Sequence, residues 1–215
     1  LEIIDEYGAD ALRFTLTAFA AQGRDIKLSK SRVEGYRNFC TKLWNAARFC
    51  EINECSYDKK YDPHSVKLNF NKWIVGKLFQ AEQGVTKSIE SYKFNDLASV
   101  IFQFTKNTYC DWYIEFAKPY LQSKSEFERN ETRATCSWVL DQVLKLMHPI
   151  TPFITEELWQ TQGGERMSPI IQSRWPELNN SLVDHEVNFE LDWVISLITR
   201  IRGLRAELNV SFSNV

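Results

Sequence analysis

Helix breakers are scarce in this sequence, with 8 Gly and 6 Pro among 215 residues. A chain so poor in the two residues that interrupt helices reads as a set of long helices. The same scarcity, with no repeated motif, speaks against collagen-like, low-complexity and all-β repeat architectures and against Gly-rich phosphate loops. Apolar residues recur at three- and four-residue intervals and predict helices over about 65–91, 95–121 and 126–147. Leu97, Ile101, Phe104, Thr108, Trp112 and Phe116 form the stripe of the middle one. Ser29 or Ser31 caps an earlier helix that runs to about Cys50, with Glu34 completing a capping box on Ser31. The run Met147-His148-Pro149-Ile150-Thr151-Pro152 must interrupt the helical ladder. Thr151 as N-cap with Pro152 at the first helical position then restarts a helix to about Gln160. Gly163-Gly164 closes it, Ile170 to Pro176 is extended or looped, and a last helix spans about 187–208 and ends at Asn209.

Residues 1–30 read as a small mixed unit. A helix beginning near Asp5 carries Tyr7, Ala11, Phe14 and Leu16 to Ala18, Gly23 ends it, and Arg24 to Leu28 alternates like a short strand. The expected fold is mainly α: an antiparallel helix bundle over 31–215 behind this small α/β segment. With 44% hydrophobic and 25% charged residues the chain is globular, and its seven Trp fill space between helices. No apolar run approaches the ~18 residues of a membrane span. The opening Leu-Glu-Ile-Ile has neither an initiator Met nor a signal-peptide pattern, so the sequence reads as an interior piece of something longer. Five scattered cysteines (Cys40, Cys50, Cys55, Cys110, Cys136) form no C-x-x-C pair and have no His at ligand spacing. That pattern predicts free thiols in a reducing cytoplasm and no metal site.

Charge is distributed unevenly. The whole chain has a net charge of −2, yet Arg24 to Arg48 holds seven basic residues and two acidic ones, a local +5. On a helical wheel of 32–50, Phe39, Leu43, Ala46 and Cys50, flanked by Tyr36, Cys40 and Ala47, make the core face. On the opposite side Asn38, Lys42, Asn45 and Phe49 fall within about 60° of one another, and Arg37, Thr41, Trp44 and Arg48 form a second stripe beside them. An exposed Phe in line with amides and a Lys, and flanked by Arg, suits single-stranded RNA: the ring stacks a base, amides read base edges and cations hold phosphates. The alternative stays open at this point, with Phe49 and Trp44 packing on a neighbouring helix while the cations face water.

Other candidates are weaker. Arg205 lies on an apolar stripe with Val194, Ile198, Ile201 and Leu208, one turn after Arg202, and is expected to pair with a carboxylate such as Glu156 or Glu157, with phosphate binding as the second reading. Asp111 with Glu115, and Glu156 with Glu157, read as solvated acidic faces, and His148 beside Pro149 as a structural or capping residue. No motif for a phosphate loop, a zinc protease or a serine nucleophile is present, so no catalytic residue is assigned.

Five segments carry a family resemblance. Tyr7-Gly8-Ala9-Asp10-Ala11-Leu12-Arg13-Phe14, followed by Gly23-Arg24-Asp25-Ile26, resembles the segment after the catalytic core in class I aminoacyl-tRNA synthetases of the valine, isoleucine and leucine group. The finer match is to the valyl-tRNA synthetases, through Arg37-Asn38-Phe39-Cys40-Thr41-Lys42-Leu43-Trp44-Asn45-Ala46-Ala47-Arg48-Phe49 and Asp111-Trp112-Tyr113-Ile114-Glu115-Phe116-Ala117-Lys118-Pro119. It continues in His148-Pro149-Ile150-Thr151-Pro152-Phe153-Ile154-Thr155-Glu156-Glu157-Leu158-Trp159 and in Ile201-Arg202-Gly203-Leu204-Arg205-Ala206-Glu207-Leu208-Asn209-Val210.

The resemblance implies a stem-contact segment over 1–30 and a helical anticodon-binding domain from 31. It implies that a Lys reading a base and a Phe stacking one fall on Lys42 and Phe49, and this tips the wheel's two readings toward RNA. The implied tRNA-binding set is Arg24, Arg37, Asn38, Lys42, Asn45, Arg48 and Phe49. The implied parent is a monomeric valine–tRNA ligase that uses valine, ATP with Mg2+ and valine-specific tRNA. The family's ATP signatures, its editing domain and the C-terminal coiled coil of bacterial-type relatives are missing from this sequence, so the piece alone is expected to be inactive and to need no cofactor. The alternative is a helical module whose exposed aromatic face docks a protein.

Overall fold

The computed structural model describes residues 1–20, 28–162 and 168–210. The first two helices, α1 (Glu2–Tyr7) and α2 (Ala9–Phe19), meet at Gly8, whose φ of 88° is a backbone state that side chains disfavour. The expected strand lies outside the described residues except for Leu28, which has no regular structure. Next, α3 (Lys30–Ile52) starts two residues earlier than a cap at Ser31 requires. Ser29 takes the N-cap position without a side-chain cap bond, and Ser31 Oγ lies 3.3 Å from Ser29 Oγ. With Ser29 at the cap, Arg32 and not Glu34 occupies the third helical position, so the capping box does not form.

The other long helices fall close to the expected spans: α4 (Asn69–Glu90), α5 (Phe94–Phe102) continuing through Gln103–Tyr113 into α6 (Ile114–Leu121), α7 (Glu126–Met147), α8 (Pro152–Gln162) and α9 (His185–Glu207). A tight 3-10 turn at Pro63–Ser65, capped by Asp62, delays the start of α4. Carboxylate Glu131 of α7 then caps α4 from across the bundle: its oxygens accept the N–H of Lys67 at 2.9 Å, the N–H of Leu68 at 2.8 Å and Asn71 Nδ2 at 3.1 Å.

The middle helix departs from the stripe expected of it. Leu97, Ile101 and Phe104 are buried as the α period requires, but Thr108, Trp112 and Phe116 are only half-buried. From Gln103 to Tyr113 the backbone is wound as a π-helix, with more residues per turn than an α-helix. The wider turn carries the buried face onto Thr105, Tyr109, Cys110 and Tyr113. The two tyrosines sit in the core with their hydroxyls partnered: Tyr109 Oη donates to Cys136 O at 3.1 Å and Tyr113 Oη to Asn71 Oδ1 at 2.8 Å. Burial pushes both phenols well above their ordinary range.

One core unites the bundle, with Phe14 of α2, Leu43 of α3, Trp73 and Leu78 of α4, Ile101 of α5 and Leu140 and Leu144 of α7 almost wholly buried. The α7–α8 connection is clasped by α2. Arg13 donates through Nε to Ile150 O at 2.8 Å and through a terminal N–H to Pro149 O at 3.0 Å. Asp10 accepts the N–H of Ile154 at 2.7 Å and of Phe153 at 3.4 Å, so the start of α8 is capped by α2. The hydroxyl of Thr151, the residue expected to cap α8, instead donates back to Met147 O at 3.2 Å. His148 has the structural role expected of it: it follows α7, and its Nδ1 meets Thr155 Oγ1 at 2.8 Å.

Candidate nucleic-acid interface

Helix α3 is built with two sides. Val33, Phe39, Leu43, Ala46, Ala47 and Cys50 are buried and fix its inner side against the core. Arg37, Asn38, Thr41, Trp44, Asn45 and Arg48 are exposed on its outer side, and Lys42 is half-exposed. Phe49, expected to be exposed, is half-buried and packs against the core. It stands at the edge of the buried arc next to Cys50, where a long ring can fold inward and still leave one side accessible.

The basic strip divides on inspection. Arg24 and Lys27 lie outside the described residues. Lys30 pairs with Glu6 at 2.8 Å, and the Arg32 guanidinium covers the Phe19 ring at 4.3 Å, so both cations tie α3 to the preceding helices. Lys42 Nζ forms an ion pair with Asp111 Oδ1 of the π-helical stretch. Arg37 and Arg48 remain on the outer side, open to water.

A groove of about 550 Å3 runs along the flank of α3 away from Asp111, lined by Tyr7, Arg37, Thr41, Trp44, Phe153 and Glu157 among others. Trp44 and Phe153 are 41% and 66% exposed in it. On the other flank, the Arg202 guanidinium of α9 stands 5.3 Å from the centre of the Trp112 ring, next in sequence to Asp111. The sequence reads Asp111 as a solvated acid and gives Arg202 no partner of its own. The signal for Asp111 was its place beside the Trp112-Tyr113 pair in a family-like segment. Of the two acids expected to partner Arg205, Glu156 turns its oxygens to Gln160 Nε2 at 2.9 Å and to the N–H of Ile170 at 3.1 Å.

Among the described residues, no group of three or more His, Cys, Asp or Glu could hold a metal ion. Burial pushes the Cys40 thiol up to about 12, which keeps it protonated and a poor nucleophile. No described helix is long and apolar enough to cross a membrane.

An arrangement of outward Arg and Asn residues, an accessible Lys and aromatic rings on a rigid helix has the chemistry to hold phosphates and stack bases. The sequence model of the family described as "Anticodon-binding domain of tRNA ligase" matches residues 71–215. The chain belongs to this family. It is 48% identical over 213 residues to a valine–tRNA ligase of Caulobacter vibrioides, covering 98% of this chain and 24% of that protein. It is 47% identical to the valine–tRNA ligase of Bartonella quintana, again over 98% of this chain and over 23% of the relative. The chain thus spans about a quarter of the length of the curated relatives it matches. In fold, this anticodon-binding chain resembles the synthetase in the crystal structure of the Agrobacterium radiobacter K84 agnB2 LeuRS-tRNA-LeuAMS ternary complex. The TM-score is 0.66 at 21% identity, over 85% of this chain and 21% of that one.

Proposed function

We propose that this chain is the anticodon-reading part of a valine–tRNA ligase, holding the anticodon stem-loop of its tRNA on the outer side of α3. The observation that carries the reading is α3 itself: a helix fixed on one side by six buried residues and offering Arg37, Asn38, Asn45 and Arg48, with Lys42 and Phe49 at the edge, on the other. Phosphates are held by the two outward Arg, amides meet base edges, and the accessible side of Phe49 stacks a base. Attachment of valine with ATP and Mg2+ is assigned to the parent enzyme and not to any residue described here.

Support comes from the family match and from relatives named as valine–tRNA ligases. The test is a titration of the chain with a valine-type tRNA at two salt concentrations, beside an anticodon-changed tRNA and the Phe49→Ala variant. The expected result is preference for the valine anticodon, steep weakening by salt and loss of the preference in Phe49→Ala. Equal binding of both RNAs, or none, would overturn the reading.

A second reading, a module that docks a protein, draws on a different surface. Phe189, Trp193, Leu197, Ile201, Leu204 and Leu208 follow one another at three- and four-residue steps along α9 and just past its end, and all are exposed. Association through that stripe would be insensitive to salt.

A further inference from the structure

Three of the five cysteines meet in the core where α3 ends. The helix closes in a Schellman turn: the N–H of Cys55 bonds back to Cys50 O at 2.9 Å, the N–H of Glu54 bonds to Glu51 O at 3.0 Å, and Glu54 takes the left-handed state at φ 59°. That turn brings the side chains of its first and sixth residues together, here Cys50 and Cys55. Cys136, on the buried side of α7, completes the group, and the three thiols are in mutual hydrogen-bond contact. Two tyrosines of the π-helical stretch border it, with Cys50 Sγ 3.4 Å from Tyr109 Oη and Cys136 Sγ donating to Tyr113 Oη at 3.6 Å. Since no such group among the described residues is arranged to hold a metal ion, what the cluster offers is thiol–thiol chemistry.

A sulfur that accepts hydrogen bonds is favoured as the thiolate, the form that reacts. Donation from Cys136, and then from Cys55, holds Cys50 well below the ordinary thiol range, whereas burial pushes Cys40 and Cys110 up to about 12. Access runs through Cys55, which is 3% exposed where Cys50 and Cys136 are at 0%. Its loop is tethered at Glu54 by an ion pair with Arg133 at 2.7 Å, and the Glu54 side chain is 74% exposed. An exposed pair holds a loop weakly. Local opening of such a segment admits a molecule the size of water.

We propose that this cluster is a thiol-oxidation site, at which hydrogen peroxide oxidises Cys50 and Cys55 closes a disulfide on it. The Cys50 thiolate attacks one peroxide oxygen, the O–O bond breaks, and the departing hydroxide takes up the proton that Cys50 had released, leaving a sulfenic acid and one water. Cys55 Sγ then attacks Cys50 Sγ, the S–S bond forms as the S–O bond breaks, and the second oxygen leaves as water with the Cys55 proton. Two thiols thus give two electrons and two protons to one peroxide, and a dithiol reductant returns them. In a reducing compartment such a bond is transient. It spans the cap at the end of α3, next in sequence to Phe49, and Cys136 stays reduced as the donor.

The test treats the folded chain with hydrogen peroxide and maps thiols and disulfides by peptide mass. The expected result is loss of two of the five free thiols in a single Cys50–Cys55 disulfide, with Cys40, the most accessible of the five, still free. Dithiothreitol restores all five. In Cys55→Ala the oxidation stops at a sulfenic acid on Cys50, which dimedone traps. Cys136→Ala slows the loss of the Cys50 thiol by about threefold or more, the effect of one hydrogen bond to a charged sulfur less the compensating gain in nucleophilicity. Cys136→Ser, which keeps a donor, restores part of the rate. A core that was merely loosened would lose the Cys50 thiol faster, so an unchanged or faster loss in Cys136→Ala would overturn the inference. Oxidation of Cys40 ahead of the pair, a disulfide that includes Cys136, or no disulfide at all would do the same.

Discussion

Helices α3 and α9 are the same length, 23 residues each, and both leave aromatic rings in contact with water, yet they are held and displayed in opposite ways. Six side chains of α3 are buried between Val33 and Cys50, and Arg37, Asn38, Trp44, Asn45 and Arg48 are among those left outside. On α9 only Val187 and Asn188 are buried, both in the first turn. Beyond it, Leu191 and Ile195 pack half-buried against the core, and polar bonds join the helix to α4: Trp73 Nε1 and Lys77 Nζ meet Asp192 at 3.0 and 2.6 Å, and Lys72 reaches Asp184 at 3.4 Å. Close approach at that seam needs Gly76, since a Cβ there would stand 3.3 Å from the Asn188 amide. A helix with an apolar inner side and a mixed polar outer side can present groups at fixed positions to a polar partner. A helix held along one edge, with an apolar outer side, offers area and little direction.

The difference can be broken from either end. Leu43→Ala, on the buried side of α3, should destabilise the fold by about 2–5 kcal/mol in denaturant unfolding. A loss under about 1 kcal/mol, the size of a surface change, would mean that α3 is not anchored as described. Phe49→Ala should lower RNA affinity by roughly 1–3 kcal/mol through one lost stacking contact. Because the ring is half-buried, the fold should also lose about 1 kcal/mol, half the worth of a buried side chain. Arg48→Ala should flatten the slope of log affinity against log salt by about 1, and an unchanged slope would deny Arg48 a phosphate contact. Arg202→Ala, which removes the cation over Trp112, should lower stability by about 0.5–1 kcal/mol. Trp193→Ala, on the exposed side of α9, should change stability by less than about 0.5 kcal/mol; a larger loss would show that the stripe packs within this chain.

Much of this architecture was legible in the sequence because its punctuation is local. The Pro149 to Pro152 run stops α7, and the structure places that helix at Glu126–Met147, as the spacing predicts. The buried side of α3 was likewise readable from a wheel, since Phe39, Leu43, Ala46 and Cys50 obey one period. What escaped were the features set by partners distant in sequence. The caps of α4 and α8 come from Glu131 and Asp10, which lie more than sixty positions away, and no local pattern announces them. The π-winding was hidden because a wheel assumes one period throughout, and Thr108 and Trp112 fit the α stripe well enough to conceal the shift. With it went the Lys42–Asp111 pair, a product of how neighbouring helices close on the outer side of α3, while the packing of Phe49 was the alternative that the wheel left open.

The central claim is that RNA lies on α3 and leaves α9 bare. Hydroxyl-radical footprinting of the chain, with and without a valine-type tRNA, compares the two helices in one experiment through the oxidation of their aromatic side chains. The account predicts protection of Trp44 and Phe49 with Phe189 and Trp193 oxidised as before; protection of Phe189 and Trp193 with Trp44 and Phe49 unchanged would contradict it.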